Sequence, residues 1–214
     1  MNNKKRKEIL LRFYSNNPTP KVELSYKTEF EFLVSAVLSA RAKDSVVNRI
    51  TKKLFKLANT PKLIIKLGYK KLEKIIYPIG FFRKKTVNII KICKILLKDF
   101  NGKVPNKIKN LKILPGVGRK TANLIASTIF KKNTIAIDTH VYRVCNRTKF
   151  AIAKNIPDMQ KILDSKVPKK FKPYINNWFV LHGRYICTSK NPFCISCNIS
   201  DLCEYKKKFL FFFK

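Results

Sequence analysis

The sequence predicts an all-α fold, and three observations support this prediction. Apolar residues recur at helical spacing along most of the 214-residue chain, for example on one face between Val46 and Leu57. Signals that start helices precede several of these segments. The chain shows no convincing alternating strand pattern, and no hairpin dipeptide joins two strand-like runs.

Each predicted helix has a local reason in the sequence. Thr28 to Glu31 fits a capping box, and the nearly all-apolar segment 32–38 after it is typical of a buried helix. Asp44 can cap the following helix, which carries the apolar face. Pro61, after Thr60, fits the first position of another helix. The same periodicity predicts further helices at 69–76, 83–98, 118–131, 139–148, 158–165 and 171–186.

The composition excludes several classes of protein. Apolar residues make up 45% and aromatic residues 12% of the chain, which is too much for a disordered basic tail and enough for one or two compact domains. No stretch approaches the roughly 20 apolar residues of a membrane span. The apolar run Ile9–Leu11 is too short for a signal peptide. We therefore expect a folded protein in the cytoplasm.

The chain is strongly basic, with 47 Lys and Arg residues against 12 Asp and Glu residues and a formal net charge of +35. Arginine supplies only 9 of the 47, and such an excess of lysine fits compositional drift in an AT-rich genome. The distribution is more informative, because 23 Lys and Arg residues but only two acids lie between Ser45 and Ile137. A nucleic acid is the natural partner of such a surface, and an anionic membrane surface is the alternative.

The segment from Leu111 to Ala122 has the pattern of a short helix, a tight turn and a longer helix. Gly116 and Gly118, two of only six glycines, permit a turn whose amides point outward. Those amides and the positive end of the second helix can bind one backbone phosphate of DNA without reading its sequence. A plain turn between two helices is the alternative interpretation.

Lys120 is a candidate nucleophile. It falls in the first turn of the second helix, where a cation is electrostatically disfavoured. Arg119 and nearby lysines add positive potential, so the neutral amine that a nucleophile needs is favoured. A solvated surface lysine is the common alternative.

Asp138 is a candidate catalytic carboxylate. It is the only acid between Asp99 and Asp158, and its place before a helical pattern fits an N-cap. A carboxylate held there can also stabilise a developing cation or take a proton from a nucleophile. His140 fits a residue that orients local structure better than it fits a general base.

Four cysteines fall within 17 residues near the carboxyl end, with the spacing C-x6-C-x2-C-x5-C. Thiols this close in a cytoplasmic chain favour a metal centre over disulfides. Four thiols can hold zinc or an iron–sulfur cluster, and the lack of two paired Cys-x2-Cys knuckles favours iron–sulfur. Arg184 and Lys190 lie beside them in sequence and can provide phosphate contacts. The four candidate ligands are Cys187, Cys194, Cys197 and Cys203.

With these motifs the chain resembles the endonuclease III family of helix-hairpin-helix DNA glycosylases. The resemblance extends from the amino terminus to about Lys207 and rests on several motifs together. They are Leu114 to Ala122, Thr134 to Arg147, the four-cysteine spacing, Leu181 to Tyr185, and Asp201 to Lys206.

The resemblance implies a two-domain, all-α helix-hairpin-helix glycosylase fold, with DNA crossing the cleft between the domains. A six-helix barrel would cover residues 22–132 and end in the hairpin and its second helix. Residues 1–21 and 133–214 would form the iron–sulfur cluster domain. Its [4Fe-4S] cluster, held by the four cysteines, would have a structural and DNA-binding role.

The resemblance also implies a bifunctional base excision repair enzyme, a DNA N-glycosylase and abasic-site lyase. Lys120 would be the nucleophile that displaces a flipped-out base, and Asp138 the catalytic carboxylate. The resulting Schiff base would allow β-elimination on the 3′ side of the abasic site. The implied partner is double-stranded DNA with oxidised pyrimidines or abasic sites. We expect a cytoplasmic monomer, associated with the nucleoid in a bacterium.

Two positions depart from the common family pattern. Arg41 stands where glutamine is often found, in a loop that fills the gap left by the flipped base. Phe81 stands at the position of a bulky apolar wedge and can intercalate, although an aromatic ring packed under a loop is the alternative. The predicted DNA contacts are Arg41, Phe81, Gly116, Gly118, Arg119, Arg184 and Lys190.

Three other functions compete with this interpretation. An adenine-mismatch glycosylase of the same superfamily is disfavoured by Lys120 at the nucleophile position. A cluster protein that binds DNA without catalysis, for charge transfer or scaffolding, is disfavoured by the presence of both Lys120 and Asp138. Phosphate-only binding to RNA would be favoured by equal affinity for single-stranded RNA and damaged duplex.

Overall fold

A computed structural model describes residues 1–211, which form helices joined by loops. These residues contain no strand, so the prediction of an all-α fold is confirmed for them. The phenylalanine-rich end of the chain, 209–213, has no predicted role and lies partly outside the described residues. The α-helices of the described part are α1 (Asn3–Asn16), α2 (Glu29–Leu38), α3 (Asp44–Leu57), α4 (Pro61–Leu67), α5 (Tyr69–Ile76), α6 (Phe82–Asp99), α7 (Ile108–Lys112), α8 (Arg119–Thr128), α9 (Thr139–Thr148), α10 (Ile156–Lys166) and α11 (Lys172–Tyr185).

The helices form two compact units. One is continuous in sequence, covers Val22–Phe130 and contains α2 to α8. The other joins Met1–Lys21, with α1, to the chain from Lys131 onward, with α9 to α11. The identification of the predicted ranges as a six-helix barrel and a cluster domain stays a prediction.

Helix α2 forms the centre of the continuous unit, since every residue from Phe30 to Leu38 is buried. It packs against α3, α6 and α8. The capping box differs slightly from the predicted one. Thr28 Oγ1 accepts the Glu31 N–H at 3.1 Å, whereas Glu31 Oε2 accepts the N–H of Lys27, one residue before the cap, at 2.6 Å.

The predicted N-cap at Asp44 is wrong by one position. Helix α3 begins at Asp44 itself, and the preceding Lys43 occupies the N-cap position in an extended conformation. The carboxylate therefore lies in the first helical turn, where its charge complements the positive end of the helix dipole. The predicted start of α4 is confirmed, because Thr60 accepts the Leu63 N–H and Pro61 is the first helical residue.

The discontinuous unit is built around aromatic packing between α1 and α11. The Phe13 ring stacks on Trp178 at 6.2 Å and meets Phe179 edge-on at 5.5 Å. Trp178 Nε1 donates to the carbonyl of Asn17 at 2.8 Å, so the chain leaving α1 is also fixed. Helix α9 packs along α11 and completes this core. Within residues 1–211, no helix combines the length and apolar character needed to cross a membrane.

Candidate functional site

The hairpin predicted between Leu111 and Ala122 is confirmed as helices α7 and α8 with a short turn between them. The Val117 N–H donates to the carbonyl of Leu114 at 3.0 Å and closes the turn. Both of these side chains are buried, so the apolar residues of the turn face the core of the unit. Gly116 and Gly118 are exposed, so the backbone of the turn faces solvent at these two positions.

The two hairpin glycines have different roles. Gly116 has φ +82°, a conformation that favours glycine, and a Cβ atom there would lie 2.8 Å from Asn88 Nδ2 on α6, so the end of that side chain would have to move. Gly118 precedes α8 with an ordinary φ of −80°. Nothing lies within 4 Å of the position where a side chain at Gly118 would begin, which leaves the amide end of α8 open to a ligand.

Lys120 is the second residue of α8, and its side chain is exposed, as is that of Arg119 before it. No acidic residue lies in the first turn of this helix. Two cationic side chains and the amide end of the helix therefore share one region of the surface. Such an arrangement attracts an anion, as a DNA phosphate contact requires.

Asp138 is the N-cap of α9, as predicted. Its Oδ1 accepts the N–H groups of His140 and Val141, both at 2.9 Å. The side chain is half-buried, and the preceding residues Ile135 and Ile137 are buried in the core. The carboxylate is therefore held in one orientation while part of its surface faces solvent.

His140 contributes to the structure around this carboxylate. Its Nδ1 lies 3.3 Å from Arg143 Nη2, which also donates to the carbonyl of Gly183 at 2.7 Å. A Cβ atom at Gly183 would lie 3.1 Å from the Cβ of His140, so α9 and α11 approach closely here. These contacts support the orienting role of His140. The sequence did not single out Arg143, because its partners are backbone carbonyls distant in sequence.

Arg41 and Phe81 lie together on the continuous unit. The guanidinium carbon of Arg41 is 5.6 Å from the centre of the Phe81 ring. Both residues have a left-handed backbone, with φ values of 55° and 60°. Non-glycine residues adopt this conformation at a cost, and such residues are concentrated at binding sites. Phe81 is 61% exposed, which does not fit the alternative of a ring packed under a loop.

The four candidate metal ligands line one cavity in the discontinuous unit, and all four are free thiols. Burial raises the pKa of the Cys197 thiol to about 11. Across residues 1–211, no group of three or more His, Cys, Asp or Glu side chains has the geometry to hold a metal ion. The shared cavity therefore supports the predicted set, but the four thiols in these positions do not form a metal-binding group. The cavity brings together Cys187, Cys194, Cys197 and Cys203.

Two cationic side chains that were not identified from the sequence line this cavity. Arg147 Nη1 lies 3.6 Å from Cys187 Sγ. Lys208 Nζ donates to the carbonyl of Cys203 at 2.8 Å. Positive charges at these positions stabilise thiolates. His182 Nε2 lies 3.8 Å from Cys197 Sγ, and burial lowers the pKa of this histidine to about 4, so it is uncharged near neutral pH.

The two predicted DNA contacts near the cysteines lie at the edge of the same region. Arg184 belongs to the last turn of α11, and Lys190 is exposed in the loop between the first two cysteines. Arg147 Nη2 donates to the carbonyl of Ser189 at 2.8 Å and so anchors this loop to α9. Their contact with DNA stays a prediction.

The predicted site residues are thus grouped within each unit. The continuous unit pairs Arg41 with Phe81 and carries Lys120 next to the hairpin glycines. The discontinuous unit carries Asp138 and the four-cysteine cavity. Lys120 and Asp138 belong to different units.

A family model described as "HhH-GPD superfamily base excision DNA repair protein" matches residues 34–169. The chain belongs to this superfamily. The HhH-GPD match includes the hairpin, Lys120 and the cap residue Asp138, whereas the four cysteines lie beyond it. The family resemblance inferred from the motifs is therefore confirmed.

Relatives within this family match almost the whole chain. Endonuclease III of Buchnera aphidicola subsp. Schizaphis graminum (strain Sg) is 50% identical over 208 residues, covering 97% of this chain and all of the relative. Endonuclease III of Escherichia coli (strain K12) is 49% identical over 208 residues, covering 97% of this chain and 99% of the relative. The HhH-GPD protein described here is thus a base excision repair enzyme, a DNA glycosylase with abasic-site lyase activity.

Solved structures agree with this assignment. A trapped endonuclease III–DNA covalent intermediate, an estranged-adenine complex, has a TM-score of 0.90 and 36% identity over 98% of this chain and 99% of that one. A non-covalent endonuclease III–DNA complex matches with the same values. The helix-hairpin-helix glycosylase fold is confirmed by these matches, and DNA is the ligand of the enzyme.

Proposed function

We propose that this enzyme removes oxidised pyrimidines from double-stranded DNA with Lys120 as the nucleophile, and then cleaves the strand 3′ to the abasic site. The observation that carries the proposal is the exposed position of Lys120 at the amide end of α8, two residues after the open Gly118. A primary amine there can attack a sugar while the hairpin backbone holds a phosphate of the same strand. The covalent endonuclease III–DNA intermediate supports a protein nucleophile in this family.

The first step is displacement of the damaged base. The nucleotide must leave the stack, because C1′ is not accessible to a protein nucleophile inside the duplex. The neutral amine of Lys120 then bonds to C1′, and the C1′–N bond to the base breaks. The base leaves with the electron pair and takes up a proton. Asp138 accepts the proton lost by the lysine nitrogen, and its charge stabilises the developing sugar cation.

The second step is strand cleavage. The C1′–O4′ bond opens, O4′ takes up a proton, and C1′ becomes the carbon of a Schiff base with Lys120. This cationic imine acidifies the C2′ proton. Loss of that proton forms the C2′–C3′ double bond and expels the 3′ phosphate, which is β-elimination. Hydrolysis of the imine by water regenerates the amine. An activated water in place of lysine would leave no Schiff base and therefore no lyase step.

The remaining predicted residues would hold the DNA. Gly116, Gly118 and Arg119 would bind a backbone phosphate at the hairpin. Arg41 and Phe81 would enter the gap left by the flipped base, where an exposed ring can stack on neighbouring bases. The phosphate contacts of the discontinuous unit would come from Arg184 and Lys190.

The residues around the cysteine cavity fit a [4Fe-4S] cluster. Four free thiols line one cavity, and Arg147 and Lys208 supply positive charge near their sulfurs. The ligands would be Cys187, Cys194, Cys197 and Cys203. A bound cluster would cross-link this segment and fix the loop that carries Lys190. Base removal and strand cleavage use only Lys120, Asp138 and water.

We expect the enzyme to act as a monomer in the cytoplasm, at the nucleoid in a bacterial cell. One chain supplies both proposed catalytic residues and the complete cysteine set. The molar mass in solution, measured by light scattering with and without a duplex, tests the monomer.

Borohydride trapping tests the proposed nucleophile. The reagent reduces the Schiff base to a stable amine, so the wild-type enzyme should form a covalent adduct with a duplex that contains thymine glycol. Lys120→Ala should form none, whereas Lys91→Ala, which removes an exposed lysine of α6, should form as much as the wild type. No adduct with the wild type, or an undiminished adduct with Lys120→Ala, would contradict the proposal.

Metal analysis tests the cluster. The purified protein should show the broad visible absorption of an iron–sulfur protein and about four iron atoms and four sulfides per chain. Cys194→Ser should lose both signals. One zinc atom per chain without iron in the wild type would overturn the cluster and leave the nucleophile test unaffected.

A further inference from the structure

A buried lysine connects the two loops that carry Arg41 and Phe81. Lys85 belongs to α6 and is only 6% exposed. Its Nζ donates to the carbonyl of Leu38 at 2.9 Å and to the carbonyl of Ala40 at 2.7 Å. Both acceptors lie at the carboxyl end of α2 or in the loop after it. The side chain therefore holds this loop one residue before Arg41.

The environment of the Lys85 ammonium suits these acceptors. Helix carbonyls at the end of α2 have no partner within the helix and lie at the negative end of its dipole. Two hydrogen bonds to such carbonyls offset part of the cost of burying a cation. Burial lowers the pKa of Lys85, in line with that cost. A lysine kept in such a place has a positional role that a surface lysine does not have.

The backbone of the same residue holds the other loop. The Lys85 N–H donates to the carbonyl of Phe81 at 3.0 Å, which is the first hydrogen bond of α6. A Cβ atom at Gly80, just before Phe81, would lie 3.7 Å from the carbonyl oxygen of Arg41, so the backbones of the two loops lie close together. Lys85 thus fixes Phe81 through its main chain and the Arg41 loop through its side chain.

The two residues that Lys85 connects form one exposed surface. Arg41 lies over the Phe81 ring, and both are held in the left-handed conformation. Such strain persists only where the surroundings determine the backbone. An aromatic ring and the guanidinium that lies over it can each stack on a nucleobase, and the ring is exposed enough to do so.

We propose that Lys85 is a positioning residue that makes Arg41 and Phe81 act as one base-stacking unit at the gap left by the flipped nucleotide. Without its two side-chain bonds, the loop after α2 is free to move relative to α6. The two side chains then enter the gap independently or not at all. The inference rests on the proposed function for the placement of this pair on DNA.

Fluorescence of 2-aminopurine provides the test, since its emission reports how the base is stacked. The probe base is placed opposite a tetrahydrofuran abasic analogue, which the enzyme binds but cannot cleave. Saturating wild-type enzyme should change the emission, and Phe81→Ala should reduce that change several-fold. Because no chemistry occurs, the result does not depend on Lys120.

Lys85→Met removes the ammonium and keeps a side chain of similar length. We expect it to reduce the emission change as strongly as Phe81→Ala does, with affinity for undamaged duplex within about twofold of the wild type. Lys84→Met removes the same charge from the adjacent exposed position and should behave as the wild type. If Lys85→Met does not fold, Lys85→Arg replaces it in the experiment. The guanidinium of arginine is larger than the ammonium of lysine, so it must displace one of the loops and reduce the change in emission.

A double-mutant cycle separates positioning from a general structural effect. If Lys85 acts through Phe81, adding Lys85→Met to Phe81→Ala should cause little further loss. Independent, additive losses would overturn the proposal, as would a wild-type emission change in Lys85→Met or Lys85→Arg. No emission change with the wild-type enzyme would instead contradict the placement of the pair on DNA. An adduct undiminished in Lys120→Ala would contradict the proposed nucleophile alone.

Discussion

At the scale of single residues, Asp138 combines a structural role with a proposed chemical one. Its Oδ1 caps α9 through two backbone N–H groups, and its charge is assigned to proton transfer and cation stabilisation. The two roles use different properties of the side chain, because a neutral oxygen can cap a helix but cannot take a proton at neutral pH. They can therefore be separated by substitution.

We expect Asp138→Asn to keep the free energy of unfolding within about 0.5 kcal/mol, since asparagine caps as well as aspartate. The rate of borohydride trapping should nevertheless fall at least about 100-fold, because the general base is lost. Asp138→Ala should lose the same activity and in addition about 1 kcal/mol of stability. Urea unfolding and single-turnover trapping measure the two quantities.

The matched control is the N-cap of α10. Asn155 accepts the Asp158 N–H at 2.9 Å and has no proposed role in catalysis. Asn155→Ala should cost about 1 kcal/mol while the trapping rate stays unchanged. Equal trapping rates for Asp138→Asn and the wild type would remove Asp138 from the mechanism.

The sequence identifies some of these residues and not others. Asp138 is predictable because an acid before a helical pattern is a local signal, and the cysteines are predictable because their spacing is. Lys85 has no such signal, since nothing local distinguishes it from the other lysines of this basic chain. Its role depends on burial and on carbonyls more than 40 residues away, with separations of 47 and 45 positions.

At the scale of elements, the hairpin shows how two neighbouring glycines serve different purposes. Gly116 is favoured by its left-handed backbone, and the end of the Asn88 side chain lies close to it, whereas Gly118 leaves space for a ligand. A methyl group should therefore mainly reduce stability at Gly116 and mainly reduce DNA binding at Gly118.

Gly116→Ala should lower the free energy of unfolding by about 1–3 kcal/mol, because the alanine backbone is strained there and its Cβ meets Asn88. Gly118→Ala should change stability by less than about 1 kcal/mol. Its affinity for duplex DNA should fall, since the methyl group occupies the space through which a phosphate approaches α8. Thermal unfolding and fluorescence anisotropy with a labelled duplex measure both effects. Unchanged DNA affinity in Gly118→Ala would place the phosphate elsewhere.

Most helices are predictable from apolar periodicity and caps, but α1 is not among the helices predicted in this way. The other errors lie at helix ends. Helices at 69–76 and 139–148 have the predicted bounds, while the one predicted at 118–131 ends at Thr128. The helix predicted from residue 171 begins at Lys172, because Lys169–Phe171 form a separate 3-10 turn before it. Tertiary packing decides these ends, and a periodic pattern does not contain that information.

At the scale of the whole molecule, the net charge of +35 is large for a chain of 214 residues. Part of it fits genomic drift, yet the region between Ser45 and Ile137 contains only two acids and includes the hairpin and Lys120. DNA binding should therefore release many counterions and depend strongly on salt.

We expect the logarithm of the affinity for a given duplex to fall more steeply with the logarithm of salt concentration than for a less basic endonuclease III. Arg119→Gln should reduce the slope by about one, as for the loss of one phosphate contact. Lys161→Gln, on α10, should leave it unchanged. Equal slopes for the two enzymes would show that most of the additional lysines do not contact DNA.

The discontinuity of the second unit has a consequence for the order of events during synthesis. Residues Val22–Phe130 form a unit that has all its own contacts once it has left the ribosome. Helix α1 precedes this unit in the chain, but its partners Trp178 and Phe179 follow the whole of it. The apolar face of α1 therefore stays uncovered for most of translation, and the cysteines appear later still. If the proposed cluster is present, its assembly should consequently follow the synthesis of residues 187–203.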